Sequence, residues 1–97
     1  MAAHKEGKIE RYLVEQVEKH GGLCRKAKWL CRRGAPDRFV AFPKGRYGFV
    51  EVKAPGKPLD AHQAREIERL RRMDVSVGVV DNYDAVDMLI AKWSTTP

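Results

Sequence analysis

Two short apolar runs, Arg38-Phe39-Val40-Ala41-Phe42 and Tyr47-Gly48-Phe49-Val50, stand either side of Pro43-Lys44-Gly45-Arg46. Turn chemistry between two strand-like runs predicts a β-hairpin, with Gly45 and Gly48 serving the turn. A hairpin makes neighbours of residues that are far apart in sequence. Gly34-Ala35-Pro36-Asp37 precedes the first run and Glu51-Val52-Lys53 continues the second, with thirteen residues between Asp37 and Glu51. Antiparallel pairing folds that interval back and returns Glu51 beside Asp37. Side chains alternate along a strand, so Glu51 and Lys53 share one face and Val52 takes the other.

Two converging carboxylates suit Mg²⁺, a small hard cation that prefers oxygen ligands, keeps several waters and completes its shell with phosphate oxygens. A lysine beside them can hold or help activate an attacking water, or offset charge at the phosphorus. The pattern Pro36-Asp37 followed by Glu51-x-Lys53 resembles the PD-(D/E)xK nuclease superfamily. The motif is short and recurs by chance in basic proteins, so context has to carry the rest.

The formal net charge of +6 fits a polyanionic partner, with nucleic acid foremost. Basic residues cluster at Arg25, Lys26 and Lys28 with Arg32 and Arg33, and again from Arg65 through Arg69, Arg71 and Arg72. Solvated faces would explain both runs equally simply. The first, however, leads into the Pro36-Asp37 segment, where phosphate-binding side chains are useful, and Arg38 continues it. Cys24 and Cys31 lack the spacing of a zinc site and are expected as reduced thiols. No apolar stretch approaches the roughly 20 residues of a membrane span and no signal-peptide core is present. The expected location is the cytoplasm of a bacterial cell, with a phage-encoded origin open. The 97 residues form one expected domain, 1–97, without repeat or linker.

The coarse reading is α/β, in the order α-β-β-β-α-β-α, a mixed sheet flanked by helices. Helices are expected over Lys5 to His20, stopped by Gly21-Gly22, over Asp60 to Met73, and over Asn82 to Trp93. Outside the hairpin, strands are expected around Leu23 to Trp29 and Val75 to Val80. Projected at ~100° per residue, Ile9, Tyr12, Leu13, Val14 and Val17 form one face of the first helix. Glu15 and Glu18 fall opposite, whereas Glu6 and Glu10 fall inside the apolar arc. An inward carboxylate needs a partner. Lys or Arg could serve, but Glu10, flanked by Leu13 and Val14, is expected to reach the metal cluster directly or through water. In the second helix Ala64, Ile67 and Leu70 mark the buried face and Gln63 points the same way. Asp60 with Gln63 also makes a capping-box pattern, and Leu59 with Ala64 a weak hydrophobic staple. Gln63 could bind phosphate or the attacking water, at a helix end that favours anions.

Ile9-Glu10, Gly21-Gly22-Leu23, Gly34-Ala35-Pro36-Asp37-Arg38, Phe49-Val50-Glu51-Val52-Lys53-Ala54, Gln63 and Val79-Val80-Asp81 together resemble the VRR-Nuc family of PD-(D/E)xK nucleases, in order and across nearly the whole chain. The resemblance implies a restriction-endonuclease-like core. It also implies that Glu10, Asp37, Glu51, Lys53 and Gln63 occupy the family's site positions, with the Val52 carbonyl as an extra metal ligand. Mg²⁺ or Mn²⁺ is the implied cofactor. For stand-alone members it implies homodimers that cut branched DNA such as four-way (Holliday) junctions. Asp60 departs from the Ser or Thr often found there, but both types cap.

The expected activity is therefore a metal-dependent, structure-specific DNA endonuclease. A restriction-type enzyme would need a recognition insertion for which 97 residues leave no room; a flap or nicking nuclease remains an alternative. A non-catalytic DNA-binding module would not explain inward acids on a phosphate-binding surface. His62 turns away from the Ile67 and Leu70 face. Trp29 and Trp93 could stack on bases or seal an interface, although core packing is the commoner use, and Trp93 continues the face of Val86, Leu89 and Ile90.

Overall fold

The computed structural model describes residues 5–29 and 33–95. Cys31 and Arg32 lie outside the described residues. The elements run α1 (Glu6–Lys19), β1 (Leu23–Lys26), β2 (Arg38–Ala41), β3 (Tyr47–Val52), α2 (Ala61–Arg72), β4 (Ser76–Val80) and α3 (Tyr83–Trp93). This is the expected α/β order, folded as one four-stranded mixed sheet in the order β1-β2-β3-β4. The first three strands form an antiparallel meander; β4 joins β3 in parallel after the α2 crossover, as parallel neighbours require.

Alternation divides the sheet into two unlike faces. Val40, Val50, Val52 and Val80 point to one side and pack with Ile9, Leu13 and Val17 of α1 and Val86, Leu89, Ile90 and Trp93 of α3. The first helix uses an i, i+4, i+8 stripe that is fully buried. It ends where the Gly22 N–H bonds back to the Val17 carbonyl at 2.9 Å. Outside that cluster, Tyr12 stacks on Tyr83 with centroids 4.0 Å apart and donates its hydroxyl to Asp87, tying α1 to α3. The opposite face carries Phe39, Phe49 and Val77, and α2 covers its β4 side, where Ile67 is buried.

Several expectations need correction. β1 stops at Lys26 rather than Trp29. The ladder runs out once the Ala27 N–H has bonded the Asp37 carbonyl at 2.7 Å, because the chain before Asp37 turns away to meet α2. Gly48 lies inside β3, not in the turn. A Cβ there would come within 2.0 Å of the Ser76 carbonyl oxygen, so the parallel partner strand requires the missing side chain. Ala64 is exposed rather than on the buried face, where Glu66 takes its place. The inward stripe of α2 is Gln63, Glu66, Ile67 and Leu70, at i, i+3, i+4 and i+7.

Candidate active site

The hairpin register sets the site. Arg38 pairs with Val50, so the next residues outward, Asp37 and Glu51, meet where the β2–β3 ladder ends. One step further, Lys53 leaves β3 with its N–H on the Val80 carbonyl at 2.9 Å and its side chain on the Glu51 face. The Lys53 side chain is buried, an uncommon state for an ammonium group and one that demands a polar partner. That partner is Gln63, whose Oε1 accepts from Lys53 Nζ at 3.1 Å.

Gln63 is the hub of the cluster. Its Oε1 also accepts from the Asp60 N–H at 3.0 Å, its N–H donates to Asp60 Oδ1 at 2.9 Å, and its Nε2 donates to Glu51 Oε2 at 3.2 Å. The reversed amide would set NH₂ against an ammonium and a backbone N–H, so the network fixes the orientation. Asp60 caps the helix with the capping box expected from the sequence. Its carboxyl is held below the usual range, first by the Gln63 N–H. The same Gln63 therefore starts α2 and joins Lys53 to Glu51.

The loop before Asp37 is pinned from two sides. Gly34 has φ of +83°, and a Cβ there would lie 2.7 Å from the His62 backbone, so the loop can rest on the first turn of α2 only as glycine. On the other side Trp29 donates Nε1–H to the Pro36 carbonyl at 2.6 Å while its ring tilts against Phe49 with centroids 5.1 Å apart. The sequence does not foretell this contact. A tryptophan between a strand and a glycine turn is the only hint that it offers.

Electrostatically the two carboxylates oppose one another. Burial, then the Asp37 charge, push the Glu51 carboxyl up to about 7 against the pull of Lys53. Lys26, on β1, sets its Nζ 3.5 Å from Asp37 Oδ2 and 3.9 Å from Glu10 Oε2. Glu10 itself accepts from Arg38 Nε at 2.9 Å. Among the described residues, no three His, Cys, Asp or Glu side chains gather into one metal-binding group. The structure thus brings Asp37, Glu51, Lys53 and Gln63 together, with Glu10 tied in through Arg38 and Lys26. Glu6 is exposed.

Arg38, expected among the DNA contacts, has a side chain only 17% exposed and turned to Glu10. Arg25, Lys26, Lys28 and Arg33 are exposed, and Arg32 lies outside the described residues. Cys24 is a buried free thiol, its pKa raised by burial. No helix among the described residues is long and apolar enough to cross a membrane.

Residues 23–82, more than half of the chain, match the model of the VRR-NUC domain. The chain is 44% identical over 87 residues to a protein of Acyrthosiphon pisum secondary endosymbiont phage 1 named "Putative nuclease p44", covering 90% of this chain and 94% of the relative. A solved structure described as a VRR_NUC domain superposes with a TM-score of 0.82 at 43% identity, over 92% of this chain and 97% of the other. A second, described as a VRR_NUC domain protein, shares the fold at a TM-score of 0.74 and 13% identity, over 99% and 98% of the two chains. The chain, with its Pro36-Asp37 and Glu51-x-Lys53 brought to one end of the sheet, belongs to the VRR-NUC domain family.

Proposed function

We propose that this protein is a Mg²⁺- or Mn²⁺-dependent DNA endonuclease that hydrolyses phosphodiester bonds in branched DNA, four-way junctions among them, as a homodimer with two active sites. Family membership and the phage relative named a nuclease support the general activity. The observation that carries the reading is the meeting of Asp37 and Glu51 at the end of the β2–β3 ladder, with Lys53 bonded to the same glutamine as Glu51. Two converging carboxylates, one of them pushed up by burial and by the other's charge, form an oxygen donor set that a divalent cation fits.

Asp37 and Glu51 would hold the ion, with the Val52 carbonyl as a further oxygen and Glu10 at the margin. A bound ion supplies Lewis-acid polarisation of the scissile phosphate. Lys53 Nζ, kept in place by Gln63 Oε1, holds the attacking water and offsets charge on the phosphoryl oxygens as that water's oxygen bonds to phosphorus. One P–O ester bond breaks, the attacking water gives up a proton to solvent, and the departing oxygen takes one up. Gln63 Nε2 keeps Glu51 from swinging out toward solvent. The α2 N-terminus, which lies at this end of the sheet, favours the phosphate's negative charge.

Paired cuts across a four-way junction require two sites related by two-fold symmetry, which a C2 dimer supplies. The decisive experiment is cleavage of duplex, flap, splayed and four-way substrates in Mg²⁺, Mn²⁺, Ca²⁺ or excess chelator. Cutting of branched substrates in Mg²⁺ or Mn²⁺ alone is expected, because Ca²⁺ takes more ligands at longer distances. Robust cutting in chelator would overturn the mechanism.

A further inference from the structure

The sheet face that carries Glu51 and Lys53 does not end at the site. Phe49 lies two residues before Glu51 and Tyr47 two before that, so about 7 Å and 13 Å along β3 from Glu51 the same face presents aromatic rings. Phe39 is the register partner of Phe49, their rings meeting edge to face with centroids 5.7 Å apart, and Phe39 also leans on Tyr47 at 6.5 Å. Trp29 closes the row over Phe49. Helix α2 covers only the β4 side of this face, and beside the rings opens a cavity of about 550 Å³ lined by Phe39, Tyr47, Phe49, Arg46 and Met73. Tyr47 is 70% and Met73 75% exposed. Such a row is costly to leave open to water unless it is covered in use.

We infer that this row, Phe39, Tyr47, Phe49 and Trp29, is a stacking platform for unpaired nucleotides of a DNA strand that runs from the Glu51–Lys53 site along β3. The inference deepens the nuclease reading and rests on it for the direction of the strand. It gives the substrate class as DNA with unpaired nucleotides next to the cut phosphate. Charge selects this occupant. Arg25 is the register partner of Phe39 on β1, and Arg46 lines the cavity, against one acid, Asp74. Cations beside aromatic rings hold phosphates while bases stack, the general design of single-strand binding surfaces. A second copy docked here about a two-fold axis is the competing occupant, and the oligomeric mass of the Tyr47 variant tests it.

The test is binding in excess chelator, where cleavage does not interfere, to single-stranded, duplex and splayed oligonucleotides of one sequence. Tyr47→Ala should weaken single-strand and splayed binding roughly tenfold or more and leave duplex binding unchanged. Tyr47→Phe, which keeps the ring, should bind as the wild type does. Phe49→Leu keeps an apolar side chain on that face without the ring and should show the same selective loss as Tyr47→Ala. Trp29 emission should be quenched by the single strand and not by the duplex, while Trp93 is buried in the core and silent. Equal losses on all substrates, no loss on any, or a change of oligomeric mass in Tyr47→Ala would overturn the platform. Aromatic-dependent binding without cleavage under any metal would end the nuclease reading and leave the platform standing. Cleavage indifferent to both ring deletions would do the reverse.

Discussion

Replacing Glu51 with glutamine should abolish cleavage and at the same time stabilise the metal-free protein. Glutamine is close in shape, and its carbonyl can still accept from Gln63 Nε2 where Glu51 Oε2 now does at 3.2 Å. What disappears is a half-buried charge beside Asp37. The Glu51 carboxyl sits at about 7 in the fold, raised first by burial and then by Asp37, against about 4.3 in an unfolded chain. Between those values the folded state holds the extra proton, so the wild type loses stability as pH rises through the window, and the loss is complete above pH 7. Full burial at that shift would correspond to roughly 3–4 kcal/mol. Half-exposure to solvent reduces this to about 1–2 kcal/mol, or roughly 5–10 °C in Tm for a domain of this size. In thermal melts with chelator, Glu51→Gln should therefore exceed the wild type at pH 8 and converge with it near pH 4. Saturating Mg²⁺ should reverse the order by raising the wild type alone, by about 2.7 kcal/mol at a hundred times Kd, more than the gap itself. A variant that melts lower than the wild type at pH 8 in chelator, or a gap that does not change with pH, would refute the reasoning.

Lys53→Ala and Asp37→Ala should each reduce cleavage by orders of magnitude with DNA binding retained, measured by gel cleavage beside anisotropy; normal cutting by folded Asp37→Ala would misplace the site. Gly48→Ala should destabilise the protein by at least about 1–3 kcal/mol in urea unfolding, because its Cβ would lie 2.0 Å from the Ser76 carbonyl oxygen; a neutral result would mean that β4 is not seated on β3 as described. Affinity should fall steeply with salt, and replacing Arg32 and Arg33 together should flatten the slope by about one unit for each phosphate those side chains neutralise; an unchanged slope would point both residues elsewhere. Sedimentation at micromolar concentration should return about twice the 11.1 kDa chain mass, and a strict monomer that still makes paired junction cuts would contradict the dimer.

The sequence by itself determined the element order, the hairpin and the meeting of Asp37 with Glu51, because strand alternation and turn chemistry are local rules whose period can be counted along the chain. It determined the Asp60–Gln63 cap for the same reason, since a capping box closes within one helical turn. Tertiary structure alone decided what those residues face. Glu10 lies inside the apolar arc of α1 as the projection indicates, yet the third dimension gives it Arg38 as a partner, a residue 28 positions away on β2. Projection finds an inward acid without saying which cation meets it. The inward placing of Glu66 in preference to Ala64 depends on how α2 rolls against β4, a rotation that small residues such as alanine do little to specify. Gly48 reads as turn chemistry because glycine is taken first as a bend. Its reason is the Ser76 backbone of a strand that arrives only after a helix crossover, and no period in the sequence records so close an approach between segments.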